Sequence, residues 1–167
     1  MSLSIFINYR REDSATESTL LYKDLVRSIG ENFVFMDSRN IEIGTKWPDE
    51  IRESLATAEV VIVVIGQKWL KISDEYGRRR IDQKDDWVRQ EIEFSIKNNK
   101  TIIPCIIAPA QCPPKEALPD NSPIIKLPEF QEIEIRKNYW DNDIQLLIAR
   151  LTGKNQVGST EADSPAS

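Results

Sequence analysis

Short apolar runs alternate with charged stretches along the chain, and their periods set strand against helix. Val60 to Ile65, VVIVVI, is apolar at every position and β-branched throughout, the pattern of a strand covered on both faces at the middle of a parallel sheet. Leu3 to Tyr9 and Thr101 to Ile107 read as further buried strands, and Phe33 to Met36 as a shorter one ending at Asp37. Pro104 inside TIIPCII lacks a ladder donor, so that strand is expected beside the sheet edge or bulged. Ile124 to Leu127 is expected to be a last short strand.

Helical spacing fills the intervals. Leu20, Leu21, Leu25 and Ile29 fall on roughly one face, with Gly30 as the stop, and a polar loop from Arg10 to Ser14 leads into them. Pro48 suits a first turn, Asp49 and Glu50 match the positive end of the helix dipole, and Ile51, Leu55 and Ala58 mark the inward face. Another helix starts at Asp85 or Asp86 as the cap and runs through Trp87, Glu91, Phe94, Ser95 and Asn98. A closing helix from Trp140 to Leu151 buries Ile144, Leu147, Ile148 and Leu151. Residues 71–86 read as a charged surface loop, 108–123 as a proline-rich excursion, and 152–167 as a disordered tail or linker. The chain thus divides into one folded domain, 1–151, and a tail to which a downstream domain could attach. Strand and helix alternate four or five times, which gives an α/β, flavodoxin-like three-layer sandwich with a central parallel sheet. A ligand site is then expected at the C-terminal strand ends, where loops 9–14 and 37–47 and the helix starting near Asp86 converge.

Composition narrows the chemistry. The chain has 167 residues, 40% hydrophobic and 29% charged, enough for one core without crosslinks. A net charge of −5 offers no positive field for a phosphate backbone, so no nucleic-acid partner is expected. No apolar run approaches 18 residues, and no signal-peptide pattern opens the chain, so a cytoplasmic protein without membrane attachment is expected. The absence of histidine removes His-based triads and His-containing zinc sites. Cys105 and Cys112 match no metal signature and read as reduced thiols; no metal site is expected.

Trp87 and Glu91 stand four apart and share one helix face. A ring beside a single carboxylate can stack on a flat cationic heterocycle and hold negative charge where positive charge develops. The same spacing also serves packing and solvation on many helices. Arg10 and Arg11 could grip a pyrophosphate with their forked donors, or form a solvated loop paired to Glu12 and Asp13. Gly44 and Lys46 lie in the second loop, where lysine could meet phosphate or a partner's acid. Ile41 and Ile43 stand among polar neighbours there, either packing on the domain or forming a contact surface. There is neither a P-loop nor a GxGxxG pattern.

The stretch Phe6-Ile7-Asn8-Tyr9-Arg10-Arg11-Glu12-Asp13 resembles the first conserved box of TIR domains, particularly of the bacterial kind. Val34-Phe35-Met36-Asp37, with Ile43-Gly44 and Trp47-Pro48, resembles their second strand and BB loop. Asp86 to Ile92 resembles the WxxxE motif of the catalytically active members, with Glu91 at the glutamate. The likeness runs from residue 3 to about 151. It implies an NAD+ glycohydrolase releasing nicotinamide with ADP-ribose or a cyclic isomer, with NAD+ as substrate and no further cofactor. Glu91 is then catalytic, and Tyr9, Arg10, Arg11, Asp37, Lys46, Trp47 and Trp87 line the NAD+ site. Homo-oligomerisation with other TIR domains through Ile41 and Ile43, a downstream sensor domain, and a role in anti-phage or stress signalling are also implied. Asn8 departs from the serine common in that box, and 71–85 is longer and more basic than the resemblance leads one to expect. The rival readings are a non-catalytic TIR–TIR interaction module, and a deoxyribosyltransferase-like enzyme, which would want its glutamate at a strand end.

Overall fold

A computed structural model of the chain describes residues 3–36 and 49–153. β3 (Val60–Ile65) is its centre, with all six side chains at 6% exposure or less, so each valine and isoleucine contributes roughly 1.5–3 kcal/mol of burial. β1 (Ile5–Asn8) and β4 (Thr101–Ile107) flank it, β2 (Val34–Met36) pairs outside β1, and β5 (Ile133–Ile135) pairs outside β4. Every pairing is parallel and the order is β2-β1-β3-β4-β5. The chain goes outward from β1 to β2 and then returns across β1 to β3. That reversal opens a crevice at the C-terminal ends of β1 and β3.

Helices cover both faces, giving the three-layer α/β sandwich. On one side α1 (Arg11–Ile29) and α4 (Trp140–Thr152) set Leu21, Leu25, Ile144 and Leu147 against Ile5, Ile7, Ile62 and Val64. On the other, α2 (Asp49–Thr57) and α3 (Trp87–Lys97) set Ile51, Leu55 and Ile92 against Phe6, Val61, Val63 and Ile65. Among the described residues no helix is long and apolar enough to cross a membrane.

Three local expectations change. Ile124 and Leu127 are fully buried, but in a 3₁₀ helix, Pro123–Glu129, and the last strand is Ile133–Ile135. Pro123 and Pro128 cannot donate to a ladder, while Ser122 caps the turn by accepting from Ile124 N at 3.1 Å. Leu20 is 45% exposed; α1 instead turns Ser14, Ser18, Leu21 and Leu25 inward. Arg11 to Ser14 is already helical rather than loop, with non-helical angles at Ser14 marking a kink. Gly30 does end α1, at φ 118°, where a side chain would be strained.

Pro104 sits in the ladder beside the edge strand, as its chemistry requires. Thr101 N–H donates toward β3, to Glu59 O, and Ala108 N–H toward β5, to Ile135 O, so the even-numbered amides of β4 face β5. β5 pairing begins only at Cys105 opposite Ile133. The missing N–H of Pro104 therefore points ahead of the first β5 partner and costs no bond. Both cysteines are free thiols; burial pushes Cys105 up to about 12 and Cys112 up to about 11, the latter helped by the nearby Glu132 charge. Neither is a nucleophile near neutral pH.

Candidate active site

A cavity of about 320 Å³ opens where β1 ends and α3 begins, in the size range of small-ligand sites. Three segments build its wall: Tyr9 to Glu12 after β1, the 74–86 connection, and the first turns of α3. The segment after β1 and the α3 start therefore meet, as expected, though from Arg11 onward that segment is helix. Asp37, Lys46 and Trp47, along with Ile41, Ile43 and Gly44, lie outside the described residues.

The α3 start is fixed by its cap. Asp86 accepts from Arg89 N at 3.1 Å through Oδ2, closing the first turn. Arg10 then donates from both terminal nitrogens to the two Asp86 oxygens, one at 2.9 Å, forming a forked pair with side chains only 2% and 7% exposed. The Arg10 guanidinium also lies over the Trp69 ring, 5.4 Å from its centroid. This clamp joins the end of β1 to the N-terminus of α3. It engages both terminal nitrogens of Arg10 and leaves its Nε–H without a partner among the described residues, so the contact the structure shows for this side chain is the clamp, at the cavity wall. The solvated-loop alternative is replaced: Glu12 pairs with Arg80 at 3.2 Å, and Asp13 turns inward. Asp13 accepts from Gly66 N and Lys68 N, each at 2.8 Å, although burial raises its carboxyl above the usual range. A Cβ on Gly66 would stand 2.7 Å from Asp13 Oδ1, so this turn needs glycine. Arg11 alone of the pair is exposed at the cavity.

With the first turn of α3 held, Trp87 and Glu91 both reach the cavity from one face. Glu91 is 9% exposed, and its Oε1 accepts from Asn8 Nδ2 at 2.7 Å. Asn8 is fully buried at the end of β1 and donates from the same amide to Val88 O at 3.2 Å. One asparagine thus ties strand, helix backbone and carboxylate together. An aimed carboxylate in a largely dry wall is an electrostatic stabiliser for a developing cation, since the protein dipoles around it need not reorganise.

The i,i+4 spacing puts Trp87 and Glu91 on one helix face, as the structure has them, but carries no sign of what holds that face in place. Asn8 was read only as a small replacement in a box, and the Arg10–Asp86 clamp joins residues 76 apart. Asp86 alone carried a signal, as a helix cap. The 71–86 segment is more ordered than a surface loop: Ser73 and Arg79 form an antiparallel bridge, and Ile81 is fully buried in a 3₁₀ turn, Arg80–Asp82.

A family model described as TIR domain matches residues 5–148. Among solved structures, the TIR domains in the activated Roq1 resistosome, which directly recognises the pathogen effector XopQ, match with a TM-score of 0.60 at 15% identity. That match covers 90% of this chain and 99% of the other. At this identity the likeness is one of fold.

Proposed function

The chain belongs to the TIR domain family, and on that premise we propose that it cleaves the nicotinamide–ribose bond of NAD+, with Glu91 stabilising the ribosyl cation. The observation that carries this reading is the Glu91 carboxylate, held by Asn8 at 2.7 Å and sharing a cavity wall with Trp87. Ordinary glycosidic bonds need a second carboxylic acid to protonate the leaving oxygen. The nicotinamide–ribose bond does not. When C1′–N1 breaks, the electron pair passes to the pyridinium nitrogen and nicotinamide leaves neutral. The positive charge then resides on the ribose as an oxocarbenium ion, and an ionised Glu91 is the group to face it. Water adds to C1′ and loses its proton to solvent, giving ADP-ribose; attack by an adenine nitrogen instead gives a cyclic isomer. Trp87 offers a ring to the flat heterocycle, Tyr9 forms wall, and Arg11 is the exposed cation for the pyrophosphate.

Activity through self-assembly with further TIR domains, in anti-phage or stress signalling under a sensor domain, is part of the same proposal. It is supported by family membership and by the apolar Ile41 and Ile43 in the segment following β2. Asp37, Lys46 and Trp47 are proposed to complete the NAD+ site from that segment. No cofactor beyond the substrate is required.

Glu91→Gln tests the reaction with little change of shape, because the glutamine oxygen can still accept from Asn8. Nicotinamide release should fall on the order of 100-fold or more, a loss of about 3 kcal/mol in the transition state, with thermal unfolding nearly unchanged. Equal release by the two proteins under concentrated conditions would remove Glu91 from the reaction, and no release by the parent would leave a non-catalytic interaction module.

A further inference from the structure

The 73–79 connection is tied far more tightly than a surface loop requires. Asp74 N donates to Arg78 O at 2.9 Å and Gly77 N to Asp74 O at 3.1 Å. The Asp74 carboxylate then takes Tyr76 N at 2.9 Å and Arg78 N at 3.0 Å on one oxygen, and Arg78 Nε at 2.7 Å on the other. Gly77 supplies the turn with φ 78°. Below the tip, Arg80 N donates to Ile72 O at 2.9 Å, the Arg80 side chain pairs with Glu12, and Ile81 is locked in the core. A single aspartate with five hydrogen bonds to Tyr76, Gly77 and Arg78 ties this hairpin tip as a fixed projection.

What it projects is a tyrosine. Tyr76 is 76% exposed, the highest among the exposed large hydrophobic residues described, yet it lines the same cavity as Trp87 and Glu91. The Arg78 guanidinium lies over its ring at 5.6 Å from the centroid. An arginine against an aromatic plane, held by a fixed backbone at the mouth of a cavity, is a stacking platform for a flat base. Of the aromatic residues lining the cavity, Trp87 stands on the helix face of the carboxylate and Tyr76 at the projecting tip.

We infer that the 73–79 hairpin is the subsite for the second, uncleaved base of a dinucleotide, with Tyr76 stacking on an adenine-type ring. The inference rests on the NAD+ reading for the identity of the ligand, and it adds the element that selects a dinucleotide over a mononucleotide. On this reading the hairpin holds the base that is not cleaved, so its contribution is to binding.

Calorimetric titration of the whole chain with ADP-ribose, which carries the adenine and cannot be turned over at the nicotinamide bond, tests this directly. Ribose 5-phosphate is the control lacking the base. Tyr76→Ala should weaken ADP-ribose binding on the order of tenfold, Tyr76→Phe should stay within about twofold of the parent, and ribose 5-phosphate should respond to neither change. Because the side chain is exposed, the unfolding temperature should not move in either variant. Equal affinity of the Ala variant and the parent for ADP-ribose, ADP-ribose binding no tighter than ribose 5-phosphate, or no ADP-ribose binding at millimolar concentration would each overturn the inference. A chain that releases no nicotinamide from NAD+ but binds ADP-ribose in a Tyr76-dependent way would overturn the proposed reaction and leave the base subsite standing. Cleavage of NAD+ with Tyr76-independent binding would do the reverse.

Discussion

Arg10 and Arg11 are adjacent, identical in chemistry, and opposite in consequence. At the end of β1 the chain turns into α1, so successive side chains point apart. Arg10 enters the protein to clamp Asp86 and lies over the Trp69 ring, and Arg11 stays at the solvent-facing wall. Deleting one partner of a buried ion pair leaves the other charge unpaired, a loss of about 3–5 kcal/mol. Arg10→Met should therefore lower the midpoint of denaturant unfolding strongly, and should also reduce nicotinamide release, since α3 then loses its fixed start. Arg11→Met should leave stability within about 0.5 kcal/mol and act on KM for NAD+ alone. Denaturant unfolding paired with steady-state kinetics checks both. If Arg10→Met raises KM while stability stays unchanged, Arg10 is a phosphate ligand after all and the clamp is incidental. The sequence could not separate these two residues, because their difference lies in a contact spanning 76 positions. Asn8 was obscured for the same reason: its meaning is the bond to Glu91, 83 residues away.

Among the elements, those whose signal is local were legible. VVIVVI needs no partner to be read as a covered strand, Asp86 needs only the turn it caps, and Gly30 needs only its own backbone. β5 was not legible, since IEI is three residues long with a glutamate at its centre, and its pairing with Cys105–Ile107 is what makes it a strand. The apolar Ile124–Leu127 run drew that assignment instead, although its prolines favoured a turn. The link from β5 to α4 shows how such a short edge is secured. Asp143 in the first turn of α4 is buried and accepts from Arg136 N at 2.8 Å and from the Arg136 guanidinium at 3.0 and 2.9 Å. The Arg136 hydrogen bond holds the Asp143 carboxyl down at about 2 against burial, which acts the other way. A depressed carboxyl contributes stability above its unfolded value of about 3.9, and that contribution is lost as pH falls through about 2. Asp143→Asn should consequently destabilise the domain at pH 6, and the gap from the parent should shrink as pH drops from about 4 to 2. Urea midpoints at several pH values measure it; a gap independent of pH would mean that shape, not charge, holds α4 to β5.

At the scale of the whole molecule, the sheet order fixed where a site could form, and the proposed assembly determines whether that site is complete in one copy. The described cavity wall is built from residues after β1, the 74–86 connection and α3. Ile41 and Ile43, in the segment that follows β2, are the residues proposed to meet a neighbouring copy. Burying two isoleucines yields roughly 1.5–3 kcal/mol each before ordering and association costs are subtracted. That is too little for a permanent dimer at low concentration and enough for an association that tethering can switch on. Nicotinamide release per subunit should thus rise with protein concentration over a hundredfold range, and rise further when the chain is fused to an oligomerising partner. On the proposed assembly Ile43→Asp puts a charge against the neighbouring copy, so it should abolish the rise and preserve the thermal unfolding of the monomer. Light scattering run beside the assay gives the mass at each dilution. Constant specific activity in a chain that remains monomeric throughout would show that one copy supplies the whole cleft, and Ile41 and Ile43 would then be packing residues of their own domain.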